Sequence, residues 1–234
     1  MKAIFRRELR AYFQTPVGYV FIGMFLAVSG YFFAVSNLLT KSPDLGQVLS
    51  NMLLMFLFLI PVLTMRLLSE ERNSRTDQLL LTSPVSVRSI VLGKFAAAAT
   101  IYLLTLGITL LYLLVLRIWG TPSMEKIICN YIGFALLGFA FIAVGLFISS
   151  LTQNQASAAM ATFATLLLLY AVEWSRGMVH SPVILFLIDC LSVTKWYSEF
   201  ELGVLSVPAI IYYVSFTAVL LLCTMHTVDK RRWS

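Results

Sequence analysis

The sequence predicts an all-α protein that crosses a membrane several times, and three observations support this prediction. The chain is 59% hydrophobic and only 12% charged, whereas soluble domains are usually about 45–50% apolar and about 25% charged. Its mean hydropathy is +0.88. Several uncharged runs are also long enough to cross a bilayer. An aqueous core could not absorb this much apolar surface in 234 residues, so the solvent must be lipid.

Six spans are predicted, because a helix needs about 20 apolar residues to cross the hydrocarbon core. The uncharged run over residues 127–172 is about twice that length, and a polar patch, Ser149–Ser157, divides it into two helices. The predicted spans are Val17–Leu39, Asn51–Leu68, Phe95–Leu116, Ile128–Ser149, Ala156–Val172 and Val204–Thr227.

Lysine and arginine predict the orientation, since cytoplasmic loops carry an excess of both. An even number of spans puts both termini on one side, and that side carries most of the 17 basic residues. These 12 are Lys2, Arg6, Arg7, Arg10, Arg66, Arg72, Arg75, Arg88, Lys94, Lys230, Arg231 and Arg232. Both termini are therefore predicted to be cytoplasmic. In a membrane protein the net charge of +6 indicates orientation and contact with anionic headgroups, not nucleic acid.

Residues 1–14 predict an amphipathic helix that lies in the membrane interface. At 100° per residue its apolar side chains share one face, and Arg6, Arg7 and Arg10 share a narrower arc on the other side. Such arginines bind lipid headgroups. Thr15 is predicted to cap the following helix, with Pro16 at its first position. The alternative is a basic leader that only sets the topology.

The segment between spans two and three, residues 69–92, concentrates charge in an otherwise apolar chain. Ser74 followed by Asp77 fits a capping box at the start of a short helix, and Pro84 ends it. This helix would expose Leu79–Leu81 and would be poorly stable alone in water, so we expect a partner to dock against it. The alternative is a solvated loop with one incidental helical turn.

The connection between spans five and six, residues 174–203, is long, and long connections are often functional. Pro182 opens an apolar run that contains Phe186 but is too short to cross the membrane. Trp196 and Tyr197 follow at the aromatic density typical of the headgroup level. We therefore expect a re-entrant or interfacial helical hairpin on the outer face, with these four side chains as a gate. An interfacial helix that rests on lipid is the alternative.

Signatures of catalysis or metal binding are absent from the sequence. Gly93-Lys94 lacks the remainder of a phosphate-binding loop, and the two histidines belong to no metal-binding motif. The chain is therefore expected to be no enzyme and to bind no cofactor of its own. Cys129 and Cys190 are either packing residues or a disulfide on the outer side. Small residues in spans four and five predict close helix packing, within the chain or between two copies.

These features together resemble the ABC-2 type permeases of ATP-binding-cassette transporters, in the branch of small bacterial permeases of gliding motility and nitrous-oxide-reductase maturation. The resemblance extends over essentially the whole chain and is most specific after span two, where the family pattern is E-x-x-x-G-T, a leucine-rich run, TSP and a later G-K. Arg75 replaces the usual glycine. The matching residues are Glu71, Thr76, Leu79, Leu80, Thr82, Ser83, Pro84, Gly93 and Lys94.

The resemblance implies a single permease domain over residues 1–234 and an energy source outside the chain. A separate ATPase subunit would hold ATP and Mg²⁺ and dock on the coupling helix between spans two and three. The implied docking residues are Glu70, Glu71, Arg72, Arg75, Thr76, Leu79, Leu80, Thr82, Ser83 and Pro84. It further implies that the chain lies in a bacterial cytoplasmic (inner) membrane and exports its substrate. Its other partners would be a second permease copy, identical or related, membrane lipids and an extracytoplasmic auxiliary protein.

Two other classes of protein are consistent with the same sequence. A secondary transporter or channel would show polar or broken helices at the membrane midplane, and Pro61 and Pro208 are the breaks that the spans offer. A structural subunit that anchors an enzyme complex would need no transport of its own. A neighbouring gene for an ATPase would separate the permease from both.

Overall fold

The computed structural model describes residues 1–73, 86–118, 123–175 and 192–232, and no strand occurs in these ranges. A π-helical turn, Ala34–Leu38, extends the helix over Pro16–Phe33. The helices are α1 (Lys2–Gln14), α2 (Pro16–Phe33), α3 (Gly46–Thr64), α4 (Ser69–Asn73), α5 (Val87–Thr109), α6 (Leu111–Leu116), α7 (Met124–Leu151), α8 (Gln155–Ser175), α9 (Lys195–Glu201) and α10 (Val207–Arg232).

Six helical stretches of the described residues are long and apolar enough to cross a membrane, which confirms the predicted number of spans. They are Pro16–Leu38, Gly46–Thr64, Val87–Leu116, Met124–Leu151, Gln155–Val172 and Val207–Lys230. The break between α7 and α8 falls inside the predicted polar patch. The second span begins at Gly46, earlier than predicted, and the Asp44 carboxylate just before it accepts a hydrogen bond from the Gly46 N–H at 2.9 Å.

Helix α7 is the centre of the bundle and packs against α3, α5, α8, α9 and α10. Two of its glycines explain the close packing. A Cβ atom at Gly138 would overlap the Tyr102 ring of α5, and one at Gly145 would overlap the Thr64 side chain of α3. These small residues of span four therefore serve packing within the chain, one of the two predicted roles.

Helix α1 lies against α5 and α2 on the face of the bundle that carries both termini, which we call the terminal face. Ile4 and Tyr12 of its apolar side are buried, and the Tyr12 hydroxyl donates to the carbonyl of Leu63 at 2.7 Å. Thr15 precedes α2 in an extended conformation, as expected of a cap. Its hydroxyl instead donates to the carbonyl of Ala11 (2.7 Å), so the predicted side-chain cap is not formed.

On the opposite face, helix α9 packs against α7 and buries Tyr197 and Phe200. A Cβ atom at Gly133 would lie 2.5 Å from the Phe200 side chain, so the glycine allows this contact. The Tyr213 hydroxyl of α10 donates to the carbonyl of Val193 at 2.6 Å. The described end of the predicted outer-face segment is thus joined to the bundle on two sides.

Candidate functional site

Four charged side chains meet at the terminal face where α1, α4 and α5 converge, and we call them the four-charge cluster: Arg7, Glu8, Glu71 and Lys94. The Lys94 ammonium lies 3.1 Å from Glu8 Oε1 and 3.0 Å from Glu71 Oε1. Arg7 Nη2 contacts the same two oxygens at 2.7 and 2.5 Å. Two cations and two carboxylates therefore join three helices that are far apart in the sequence.

Lys94 at the centre of the cluster is buried, and the side chains around it are progressively more exposed. The Lys94 side chain is 1% exposed, Glu8 13%, Glu71 17% and Arg7 50%. A buried ammonium is expensive unless it is paired, and Lys94 has two carboxylates for this purpose. Burial lowers the pKa of Arg7, but its hydrogen bonds and charge contacts with Glu8 and Glu71 outweigh that effect, so the pKa is raised above its ordinary value. Arg7 accordingly stays charged.

The local sequence places these groups through one close helix contact. A Cβ atom at Gly93 would lie 3.0 Å from Ile4 Cγ2, so the missing side chain lets α1 approach α5. Glu8 follows Ile4 by four residues and points from the same face of α1. Ile4 therefore rests on Gly93, while Glu8 reaches the neighbouring Lys94.

Helix α4 is also held on its other side, by the end of α7. The Ser149 hydroxyl accepts hydrogen bonds from the N–H groups of Leu68 and Ser69, both at 3.1 Å. Arg72 Nη1 donates to the carbonyl of Leu151 at 2.9 Å. The start of the segment between spans two and three is thus bonded to α1, α5 and α7.

The structure describes only part of the predicted docking residues. Glu70 pairs with Arg66 through two hydrogen bonds of 2.6 and 2.7 Å, Glu71 belongs to the four-charge cluster, and Arg72 contacts α7. The predicted coupling helix itself lies outside the described residues. So do Arg75, Thr76, Leu79, Leu80, Thr82, Ser83 and Pro84.

The other predicted sites are also placed in part. Arg6 and Arg10 are exposed on α1, as headgroup binding requires, whereas Arg7 forms the salt bridges of the cluster. Tyr197 is buried against α7 and Trp196 stacks on Tyr212 with ring centroids 5.5 Å apart. The remaining predicted gate residues lie outside the described residues: Pro182 and Phe186.

Sequence reasoning missed the pairing of Lys94 with Glu8 and Glu71 and did not predict α4. One signal was available: Gly93 and Lys94 belong to the matched family pattern, yet no role was assigned to them. Nothing in the sequence marked Glu8 as a partner of Lys94, because an acidic residue among arginines is ordinary on the polar face of a helix. Within the described ranges, no group of three or more His, Cys, Asp or Glu residues could hold a metal. Cys129 is buried with a free thiol, and Cys190 lies outside those ranges.

Comparison with protein families gives a match over more than half of the chain. The family described as "ABC-2 family transporter protein" matches residues 38–186, from the end of the first span into the segment after the fifth. The matched range includes α4 and the start of α5, and hence Glu71 and Lys94. A comparison with curated proteins finds no match.

Proposed function

The chain belongs to the ABC-2 family of transporter proteins and is thus a multi-pass membrane permease of an ATP-binding-cassette transporter. From this premise we propose that it is the exporting subunit and that a separate ATPase drives it. The ATPase binds and hydrolyses ATP with Mg²⁺ and docks on residues 69–92. The permease itself is no enzyme and binds no cofactor, in keeping with a sequence without nucleotide-binding motifs.

The four-charge cluster is the observation that supports this proposal best. A segment that receives force from an ATPase needs a stiff connection to the helices that it moves. Glu71 bonds to Lys94 of α5 and Arg7 of α1, and Arg72 bonds to α7. Movement of residues 74–85 would therefore be passed to three helices at once.

Two copies of the permease, identical or related, would enclose the pathway. This part of the proposal comes from the family, and the exposed apolar surface of the spans is compatible with it, since α2, α8 and α10 keep most of their side chains at the surface of the single chain. The terminal face would be cytoplasmic, in a bacterial inner membrane. An extracytoplasmic auxiliary protein would meet the opposite face, where α9 and Trp196 and Tyr197 contribute to an outer gate.

The test is the double change Leu79→Asp with Leu80→Asp in the permease co-expressed with its ATPase. Because carboxylates cannot enter an apolar docking surface without a large cost, we expect the ATPase to be lost from the purified complex, or its hydrolysis to become insensitive to the permease. The matched control is Leu202→Asp with Leu205→Asp, two exposed leucines on the opposite face, which should leave ATPase binding intact. Unchanged ATPase binding and hydrolysis in the first variant would contradict the proposal.

Co-purification of the ATPase, together with a transport assay in vesicles, separates the two alternatives. A secondary transporter or channel would show no ATPase in the purified complex and no effect of either double variant on ATP hydrolysis. A structural anchor would keep its partner enzyme but would move no substrate in vesicles when ATP is supplied.

A further inference from the structure

A small cavity of about 40 Å³ lies between α1 and the end of α3 at the terminal face, next to the four-charge cluster. Side chains that line it include Glu8, Ala11, Tyr12, Thr15, Arg66 and Glu70. A cavity needs about 10–15 Å³ for one water molecule. This one therefore has room for a group of two or three non-hydrogen atoms.

The depth of the cavity follows from the ends of the spans. The lining residues of α1 directly precede the first span, which begins at Pro16, and Arg66 and Glu70 follow the second span, which ends at Thr64. Both edges of the cavity thus lie just beyond the hydrocarbon core, at the level of the lipid headgroups. A ligand at this place would therefore be within reach of a lipid headgroup.

The lining offers acceptors to a ligand. Every hydrogen bond of Glu8 with a described residue uses Oε1, so Oε2 remains open. The hydroxyl of Tyr12 donates to Leu63 and that of Thr15 to Ala11, which leaves lone pairs on both oxygens. Burial raises the pKa of Tyr12, and the phenol therefore stays neutral.

The lining carries two carboxylates, Glu8 and Glu70, and one guanidinium, Arg66. Arg66 donates two hydrogen bonds to Glu70, and the two cations that pair with Glu8 contact its other oxygen, Oε1. An ammonium group has three donors and no acceptor, so it matches Glu8 Oε2, Tyr12 Oη and Thr15 Oγ1. A headgroup without ammonium N–H donors does not match this set.

We propose that this cavity binds the primary ammonium group of a phosphatidylethanolamine headgroup. The phosphate and the acyl chains of the lipid would remain outside, in the bilayer beside α1. The choline headgroup carries three methyl groups on the nitrogen, which removes every N–H donor and exceeds the volume of the cavity.

The test uses the full-length chain purified in mild detergent and native mass spectrometry with added phosphatidylethanolamine, phosphatidylcholine or phosphatidylglycerol of identical acyl chains. We expect phosphatidylethanolamine to bind at least about tenfold more tightly than the other two, since each 1.4 kcal/mol of lost hydrogen bonding is a factor of ten. Equal binding of the ethanolamine and choline lipids would overturn the proposal and indicate that the cavity holds water only.

Two variants locate the binding. Ala11→Leu fills the cavity and Thr15→Val removes one acceptor, so both should abolish or reduce the preference for phosphatidylethanolamine. Ala3→Leu is the matched control, because Ala3 is exposed on the same helix away from the cavity, and it should keep the preference. A preference unchanged in Ala11→Leu would overturn the proposal. So would competition by free phosphoethanolamine at the lipid concentration, since the ligand would then be a soluble molecule.

Discussion

Lys94→Met tests whether the four-charge cluster holds α1 to the bundle. Methionine keeps the length of the side chain and removes its charge. Glu8 and Glu71 would then lose the buried cation between them and keep their contact with Arg7, which is half exposed. Removal of one partner from a buried ion pair costs about 3–5 kcal/mol. Because Arg7 remains and the carboxylates are not fully enclosed, we expect the lower end, about 3 kcal/mol.

The assay is hydrogen exchange of the α1 peptide, residues 2–14, in the purified permease. If α1 must loosen before its amides exchange, a change of about 3 kcal/mol speeds their exchange by about 100-fold. Arg88→Met is the matched control, because Arg88 is an exposed cation on the same helix and forms no ion pair with any described residue. It should leave the α1 peptide at the wild-type rate.

A charge-balanced double change keeps this prediction testable if Lys94→Met is poorly expressed. Glu71→Gln combined with Lys94→Met removes one charge of each sign and leaves Arg7 paired with Glu8, so exchange of α1 should return to within about tenfold of wild type. If Lys94→Met and Arg88→Met exchange at the same rate, the cluster does not hold α1 and the reasoning is refuted.

Three further predictions concern other parts of the chain. Gly145→Ala should destabilise the protein by about 1–3 kcal/mol through overlap with Thr64, measured as apparent melting temperature, whereas Gly107→Ala, where a Cβ atom meets nothing within 4 Å, should not destabilise it. Arg6→Gln with Arg10→Gln should weaken binding to anionic lipid by on the order of 1 kcal/mol per residue without faster hydrogen exchange in α1. If binding to anionic lipid is unchanged in this variant, α1 is only a leader that sets the topology. Single cysteines at Ser181 and Glu199 in a cysteine-free background should react with an impermeant thiol reagent from outside, while one at Phe186 is protected. Ser192 is buried, so a cysteine there should also be protected. Labelling of Glu199 only from the cytoplasmic side would show a seventh crossing.

The sequence predicted the spans because membrane crossing depends on length and composition, and both are local properties. The polar patch at Ser149–Ser157 was enough to divide one long run into α7 and α8, as the structure has it. The start of α3 was placed too late because the criterion was apolar length. The helix begins at Gly46, although Gly46, Gln47 and Ser50 are poor evidence for a span.

The four-charge cluster at the terminal face could be predicted only in part, since Glu8, Glu71 and Lys94 are far apart in the sequence. Charge density drew attention to Glu71, and the family pattern added Lys94, but neither observation says that the two touch. Their contact depends on the approach of α1 to α5 at Gly93, which is a tertiary event. The contact of Phe200 with Gly133 was beyond prediction for the same reason.

The charges of residues 69–92 therefore divide into two groups with different tasks. The three described ones that open the segment all face inward partners: Glu70 bonds to Arg66, Glu71 to Lys94 and Arg72 to the end of α7. These bonds are directional, and the one to Lys94 is buried, so together they give a fixed base. Under the proposed function, an ATPase would meet the residues beyond this base, where the leucines of the predicted coupling helix lie. Recognition and transmission would then be separable along the chain: the leucines would select the partner, and the charges before them would carry its movement into α1, α5 and α7.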